Sequence, residues 1–220
     1  MPFARRLIPL AAFLVALAAA GAALAQPVPG KDYRLIDPPQ PTDSGNKIEV
    51  LEFFWYGCPH CNALQPPLRN WLKKNPADVE FKRVPAVFAD SWLPLTRAYY
   101  TLETMGVVEK LHYDVFAAVH EQNVRLSDPK VLFDWVAKRG VDQQKFSDIY
   151  NSFGVQSRAR RSVDLTKQYD PPGTPALTVD GKFLVAPSMV LKPDNSVDYE
   201  RYFQVLDQVI AIARKARAGK

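Results

Sequence analysis

The chain has 220 residues, of which 47% are hydrophobic and 23% charged, with a formal net charge of +5. That balance is ordinary for a soluble protein and gives no reason to expect a nucleic-acid partner. Only two cysteines are present, separated by two residues, so the chain is not a disulfide-stapled scaffold; a bridge between them would close a very short loop and remove little unfolded-state entropy.

The first segment has the form of a signal peptide. Arg5 and Arg6 precede an apolar run from Leu7 to Ala20, and Ala23-Leu24-Ala25 is a small-x-small cleavage box. Cleavage after Ala25 is expected, with the mature chain starting at Gln26. The apolar run is short for a bilayer span, and the arginine pair lacks the flanks of a twin-arginine signal, which points to the general secretory route. Cleavage leaves 195 residues and a charge of +3, room for one domain or one domain with an insertion. No other window is long and apolar enough to span a membrane.

There is no internal repeat, and the only biased segment is the proline-rich entry Pro38-Pro39-Gln40-Pro41. Ile48 to Tyr56 is β-rich and largely apolar, the pattern of a strand covered on both faces. Gly57 breaks it, and Pro59 suits the first turn of a helix. Ala63, Leu64, Leu68, Trp71 and Leu72 carry that helix's apolar stripe, with a kink predicted at Pro66-Pro67. Val79 to Val84 reads as a second strand, and Pro85 marks its end or a sheet edge.

A long helical block follows. Leu95, Ala98, Tyr99, Leu102 and Met105 recur at helical spacing, as do Val108, Leu111, Val115 and Val119. Asp128-Pro129 is a cap with proline at the first helical position, and Gly140 is a stop. Asp142 caps a helix striped by Phe146, Ile149, Tyr150 and Phe153, and a further helix carries Val155, Ala159, Ser162 and Val163. These aromatic and Met positions read as bundle core. The basic run Arg158-Ala159-Arg160-Arg161 lies on a helical pattern without interleaved aromatics, as a solvated helix face does. Asp170-Pro171-Pro172-Gly173 ends the block. Thr174 to Val179 and Lys182 to Val185 flank Asp180-Gly181, a tight hairpin turn. A last helix runs from about Val197 to Arg214, with acidic residues at its start and Arg214, Lys215 and Arg217 near its end.

A Cys-x-x-Cys pair at the strand-to-helix junction of a β-α-β pattern is the thioredoxin-like signature. Backbone N–H groups and the positive end of the helix dipole stabilise a Cys58 thiolate, the nucleophile. Cys61, one turn on, is placed to resolve a mixed disulfide. His60 either turns back towards Cys58 as a further donor or faces solvent from the first helical turn.

Val50-Leu51-Glu52-Phe53-Phe54, followed four residues later by Cys58-Pro59-His60-Cys61, resembles the DsbA family of bacterial periplasmic disulfide oxidases. The resemblance covers nearly the whole mature chain. It implies an α/β thioredoxin fold, residues 26–88 and 168–220, interrupted by an inserted helical domain, residues 89–167. It implies an oxidase of newly exported cysteine-containing proteins, reoxidised by a DsbB-like membrane quinone reductase, monomeric and without cofactor or metal. Cys58 would be the exposed attacking sulfur and Cys61 the buried one, and Thr174-Pro175 would supply a cis-proline loop facing them. Glu52 resembles the family's buried acid and Lys82 its partner on the next strand, although both would also suit water-facing positions. Two departures stand out: threonine precedes Pro175 where a well-known branch has valine, and Trp55-Tyr56-Gly57 differs from the usual aromatic pair before the motif.

Two alternatives remain at this level. One is an exported reductase or isomerase on the same fold, although nothing between Gln26 and Glu49 is long enough for the dimerisation domain an isomerase usually carries. The other is a metal-binding module using Cys58, Cys61 and a histidine. It has only His60, His112 and His120 to draw on, and the last two fall in the helical block, read as remote from the cysteines.

Overall fold

A computed structural model describes residues 26–219; the signal peptide expected over residues 1–25 lies outside them. Five strands, β1 (Arg34–Leu35), β2 (Ile48–Phe54), β3 (Val79–Pro85), β4 (Ala176–Val179) and β5 (Phe183–Val185), form one sheet in the order β1-β5-β4-β2-β3. β2 and β3 are parallel, and the other pairings are antiparallel. Every residue of β2 is buried, as an apolar strand between two neighbours and under two covered faces requires. β3 is an edge strand, so Pro85, its last residue, deprives no neighbour of a hydrogen bond.

Helix α1 (Pro59–Leu72) joins β2 to β3 and is helical through Pro66-Pro67, where the sequence pattern predicts a kink. Leu64 and Leu68 are fully buried and Trp71 nearly so. Burying such side chains contributes roughly 1.5–3 kcal/mol each, comparable to the ~3 kcal/mol cost of an interior proline. The packed face therefore holds the helix across the prolines.

Side-chain alternation along β2 serves two cores. Val50 joins Leu64, Leu68, Leu177 and Val179 under the C-terminal helix, while Leu51 and Phe53 join Val84, Ala176 and Leu184 on the other face. The hairpin turn is built on Asp180 (φ 54°) and Gly181 (φ 64°). Two left-handed central residues suit the tight turn that the Lys182 N–H closes onto the Val179 carbonyl at 3.0 Å, and a Cβ on Gly181 would lie 2.0 Å from the Gln40 carbonyl oxygen.

Between β3 and β4 run α2 (Leu93–Thr104), α3 (Val108–His120), α4 (Pro129–Ala137), α5 (Gln143–Tyr150) and α6 (Phe153–Tyr169); α7 (Tyr199–Ala218) ends the described chain. Asp128 and Asp142 cap α4 and α5 by accepting backbone N–H bonds. Phe153 departs from the predicted stripe of α5: it is 81% exposed and opens α6, because Ser152 ends the preceding turn and caps the new helix through Val155 N. The helical block has its own core, from Leu95 to Val155, which also takes in Phe54, Tyr56, Cys58 and Cys61. The end of β2 is thus clamped between sheet and helices.

Candidate active site

Cys58 is the N-cap of α1, Pro59 occupies its first position, and both cysteines are free thiols. Cys61 is fully buried, and Cys58, expected to be the exposed sulfur, is itself only 8% exposed, because the Thr174-Pro175 loop lies against it. Cys58 Sγ lies 3.2 Å from the Thr174 carbonyl oxygen, which sets this loop against the cysteine, and the Thr174–Pro175 bond is cis, as the family resemblance implies. The Cys58 thiol is pushed down to about 5, chiefly by the hydrogen bond from the Cys61 thiol. The Thr174 side chain and the backbone N–H groups of Cys61 and His60 add to this, against the opposing push of burial. Burial pushes the Cys61 thiol well above the ordinary range, reinforced by its hydrogen bond to Cys58 and by that residue's charge. One sulfur is therefore a thiolate near neutrality and the other a held proton.

Of the two roles open to His60, the exposed one is observed. Its side chain faces solvent, and its backbone N–H is what serves Cys58. Pro59 is also exposed. His60, Thr174 and Pro175 border a mostly apolar groove of about 290 Å³ that continues past Pro187, Leu191 and Tyr199.

Beneath the cysteines lies a polar cluster. Glu52 is fully buried, and its partner is Arg83, Nε to Oε2 at 3.2 Å. Lys82, the partner implied by the family resemblance, sits on the opposite face of the sheet. The register sets Glu52 across from Arg83 and Leu51 across from Lys82, so alternation sends Lys82 the other way, to Glu49 at 3.1 Å, Ser44 and Asp43. Burial raises the Glu52 carboxyl above the usual range, opposed by the charge of Arg83 and by hydrogen bonds from Gln65 and Arg83.

Three side chains that the motif reading passed over complete the cluster. Gln65 donates through Nε2 to Glu52 Oε1 at 3.0 Å and to the Cys61 carbonyl at 3.1 Å. Its Oε1 lies 3.2 Å from His112 Nε2, and His112 Nδ1 is 2.9 Å from the Tyr56 hydroxyl. His120 Nε2 reaches the Tyr56 carbonyl at 2.8 Å. His112 and His120 are therefore not remote from the redox pair, as their place in the helical block suggested: α3 grips the residue two before Cys58 at both its polar ends. A periodicity signal was present. Gln65 lies between Leu64 and Leu68, and His112 four residues after Val108, so both fall on apolar stripes.

On the other side of Cys58, Trp55 stacks flat on Trp92, 4.1 Å between ring centroids, and half-exposed Phe88 meets Trp92 edge-on. A Cβ on Gly57 would lie 2.4 Å from the Trp55 ring, so the indole occupies the space over that glycine. Within Trp55-Tyr56-Gly57, the Trp55 indole in this position therefore excludes a side chain at residue 57. Among the described residues no three His, Cys, Asp or Glu side chains converge into a set that could hold a metal ion.

Residues 49–192 match the family model for a DSBA-like thioredoxin domain. The chain is 41% identical over 170 residues to the thiol:disulfide interchange protein DsbA of Burkholderia cepacia, covering 77% of this chain and 80% of that protein. The protein of the same name from Pseudomonas aeruginosa is 41% identical over 154 residues, covering 70% and 73%. Among solved structures, Pseudomonas aeruginosa DsbA superposes with a TM-score of 0.78 at 36% identity, covering 88% of this chain and 97% of that one. Reduced DsbA1 of Neisseria meningitidis does so with 0.76 at 28% identity, covering 89% and 100%.

Proposed function

The chain belongs to the DsbA-like thioredoxin family and is a thiol:disulfide oxidoreductase, and on that premise we propose how its residues divide the work. The observation that carries the division is the contrast between the two sulfurs, Cys58 held as thiolate and Cys61 as thiol.

In the oxidised enzyme a substrate thiolate attacks Cys58 Sγ. The Cys58–Cys61 bond breaks, a substrate–Cys58 disulfide forms, and Cys61 leaves and takes a proton. A second substrate thiolate attacks the substrate sulfur, closes the substrate's own disulfide and expels Cys58 as a stable thiolate. Low basicity makes Cys58 the good leaving group, which favours oxidation of the substrate. Thr174 and Pro175 contact the attached polypeptide, and the groove beside them takes its apolar side chains. Glu52 exchanges the proton that Cys61 gains and loses, with Arg83 rather than Lys82 as its counter-charge; Lys82 belongs to the separate Glu49 cluster on the other face.

The same reading places the protein in the periplasm after cleavage behind Ala25. Its substrates are newly exported cysteine-containing polypeptides, and its reoxidant is a membrane quinone reductase resembling DsbB. Residues 26–88 and 168–220 form the thioredoxin-like unit, and 89–167 the insertion, a division supported by the five successive helices, with no strand among them, between Leu93 and Tyr169. Redox equilibration of the Cys58/Cys61 pair against glutathione tests the direction. An oxidase is mostly reduced at a glutathione poise that leaves a reductase-type pair oxidised, and the opposite result replaces it with a reductase.

A further inference from the structure

Gln65 occupies a position where burial is costly unless every polar atom is used, and every one is. The residue is 2% exposed, and its amide hydrogens go to two oxygens, the Cys61 carbonyl and Glu52 Oε1. The amide cannot be turned over, because its oxygen would then face both of those acceptors. Its oxygen therefore faces His112 Nε2, which must be the protonated ring nitrogen. Nδ1 of a neutral ring is then an acceptor, and the Tyr56 hydroxyl donates to it. Burial, with the charge of Arg83, keeps His112 neutral, and burial keeps Tyr56 a phenol. The order is consequently one-way: Tyr56 O–H to His112, His112 N–H to Gln65, Gln65 N–H to Glu52. Every dipole in the row points at the carboxylate.

We propose that Gln65 is a positioning residue for the Cys61 half-reaction, fixing the Glu52 carboxylate and its readiness to take the Cys61 proton, with His112 and Tyr56 orienting the Gln65 amide from behind. The inference rests on the reading of Glu52 as the proton partner of Cys61. It differs from that reading in naming what sets the acid's affinity for the proton. Among the described residues Gln65 is the one side chain hydrogen-bonded to both Glu52 and the Cys61 backbone, and it spans the gap between β2, α1 and α3. The other titratable or charged groups acting on Glu52 or its neighbours are Arg83 from β3, which Glu109 of α3 contacts from the surface at 3.5 Å, Tyr113 of α3, the two cysteines of α1, Tyr99 of α2, and Tyr199 and Tyr202 of α7. Of these, only Arg83 donates to the carboxylate.

The step concerned is resolution. With glutathione attached to Cys58, the Cys61 thiol passes its proton to the Glu52 carboxylate and its sulfur bonds to Cys58. The bond to glutathione breaks, and glutathione leaves as a thiolate that water protonates. Removing a hydrogen-bond donor from a carboxylate raises its proton affinity, so the basic form is reached only at higher pH.

The test is rapid-quench mixing of the reduced full mature chain with oxidised glutathione, following formation of the Cys58 mixed disulfide and its decay across pH 4–9. Gln65→Leu is expected to move the pH midpoint of decay upward by about one unit, roughly a tenfold slowing below the midpoint, while formation stays within about twofold. Gln65→Glu, which is isosteric and serves where Gln65→Leu folds poorly, should move it further, since two adjacent carboxyls hold one proton between them. His112→Phe should shift it less and in the same direction, and adding it to Gln65→Leu should produce no further shift, because it acts through the amide. Glu52→Gln in the same experiment should flatten the limb. If Glu52→Gln flattens the limb but neither Gln65 variant moves it, or if formation and decay slow together, Gln65 is only packing and the inference falls. If Glu52→Gln leaves the limb unchanged, the proton role of Glu52 fails first and takes this inference with it.

Discussion

Arg83 meets Glu52 inside the protein with 7% and 0% of the two side chains exposed, and Glu109 touches the same guanidinium from the surface at 3.5 Å. Breaking a buried pair by deleting one member leaves an uncompensated charge, which costs about 3–5 kcal/mol. Arg83→Met is therefore expected to lower the urea midpoint strongly at pH 7, and adding Glu52→Gln should recover part of the loss. Lys82→Met should cost less, because Lys82 is 32% exposed and Glu49 keeps a bond from Ser44 at 2.8 Å. Equal losses at the two positions would contradict the assignment of Arg83 as the counter-charge.

Cys58 should be alkylated before Cys61 in the reduced protein, and at mildly acidic pH. A thiol pushed down to about 5 is about a hundredfold more thiolate than thiol at pH 7, whereas burial withholds Cys61. The rate of iodoacetamide labelling, read by mass spectrometry of the peptide carrying both residues, should fall through pH 5 and stay flat above pH 7. First labelling of Cys61, or a midpoint near the ordinary thiol value of about 8.5, would reverse the assigned roles.

Cys61→Ser should accumulate mixed disulfides on Cys58. The variant's Cys58 still attacks a disulfide presented to it, but no neighbouring thiol remains to release the adduct. Non-reducing gels of the periplasmic fraction, followed by reduction, would display the trapped partners. A folded variant that yields no adduct would count against a dithiol mechanism.

What the amino-acid sequence conveys about this molecule divides along physical lines. The redox pair, the β-α-β frame, the hairpin at Asp180-Gly181 and the caps Asp128 and Asp142 are written in local chemistry, where spacing and turn residues suffice. The counter-charge of Glu52 is not, because Lys82 and Arg83 are adjacent and only the parallel register of β2 and β3 decides which side chain shares its face. The Tyr56–His112–Gln65 row is less legible still. It joins residues 47 and 56 positions apart in sequence, and its only local trace is a polar residue on each of two apolar stripes. Phe153 departs from its stripe for the opposite reason: it continues the apolar period of α5, but that helix ends at Tyr150 and Ser152 caps a new one that begins at Phe153.

Gly57→Ala should disturb the aromatic pair beside the site without touching its sulfurs. The added Cβ would sit 2.4 Å from the Trp55 ring, which is already stacked on Trp92 and has to leave that position. The expected cost is about 0.5–1.5 kcal/mol of stacking, seen as altered near-ultraviolet circular dichroism and a slightly lower melting midpoint. The pH midpoint of Cys58 alkylation should not move, because its hydrogen bonds come from Cys61, Thr174 and the backbone of α1. An unchanged spectrum would mean that the indole does not need the glycine.

The disulfide form should be less stable than the dithiol form near pH 7, the reverse of a structural bridge. Two terms oppose each other. Closing a loop as short as Cys58–Cys61 constrains the unfolded chain by only about 2 kcal/mol in the chain-entropy model. Against it stands the Cys58 thiolate, which the dithiol fold stabilises through the Cys61 thiol, Thr174 and two backbone N–H groups, and which the disulfide form lacks. The folded value of about 5 lies below the unfolded value of about 8.5, so this contribution is fully present above the unfolded value and is lost as pH falls through the folded one. At pH 7 the unfolded thiol is mostly protonated, and only the part between about 5 and 7 counts. The buried Cys61 carries no charge in this range and leaves the sign unaltered. Oxidation should therefore lower the denaturant midpoint slightly at pH 7, with the gap closing near pH 6.5, where the thiolate contribution has fallen to about 2 kcal/mol, and reversing at lower pH, where the bridge's own contribution dominates. The direction agrees with the DsbA family's general character as oxidants whose reduced form is the stabilised one. Paired melts of oxidised and reduced protein at pH 4, 5.5, 7 and 8 decide it: a higher midpoint for the oxidised form at pH 7 would place the pair among reductases.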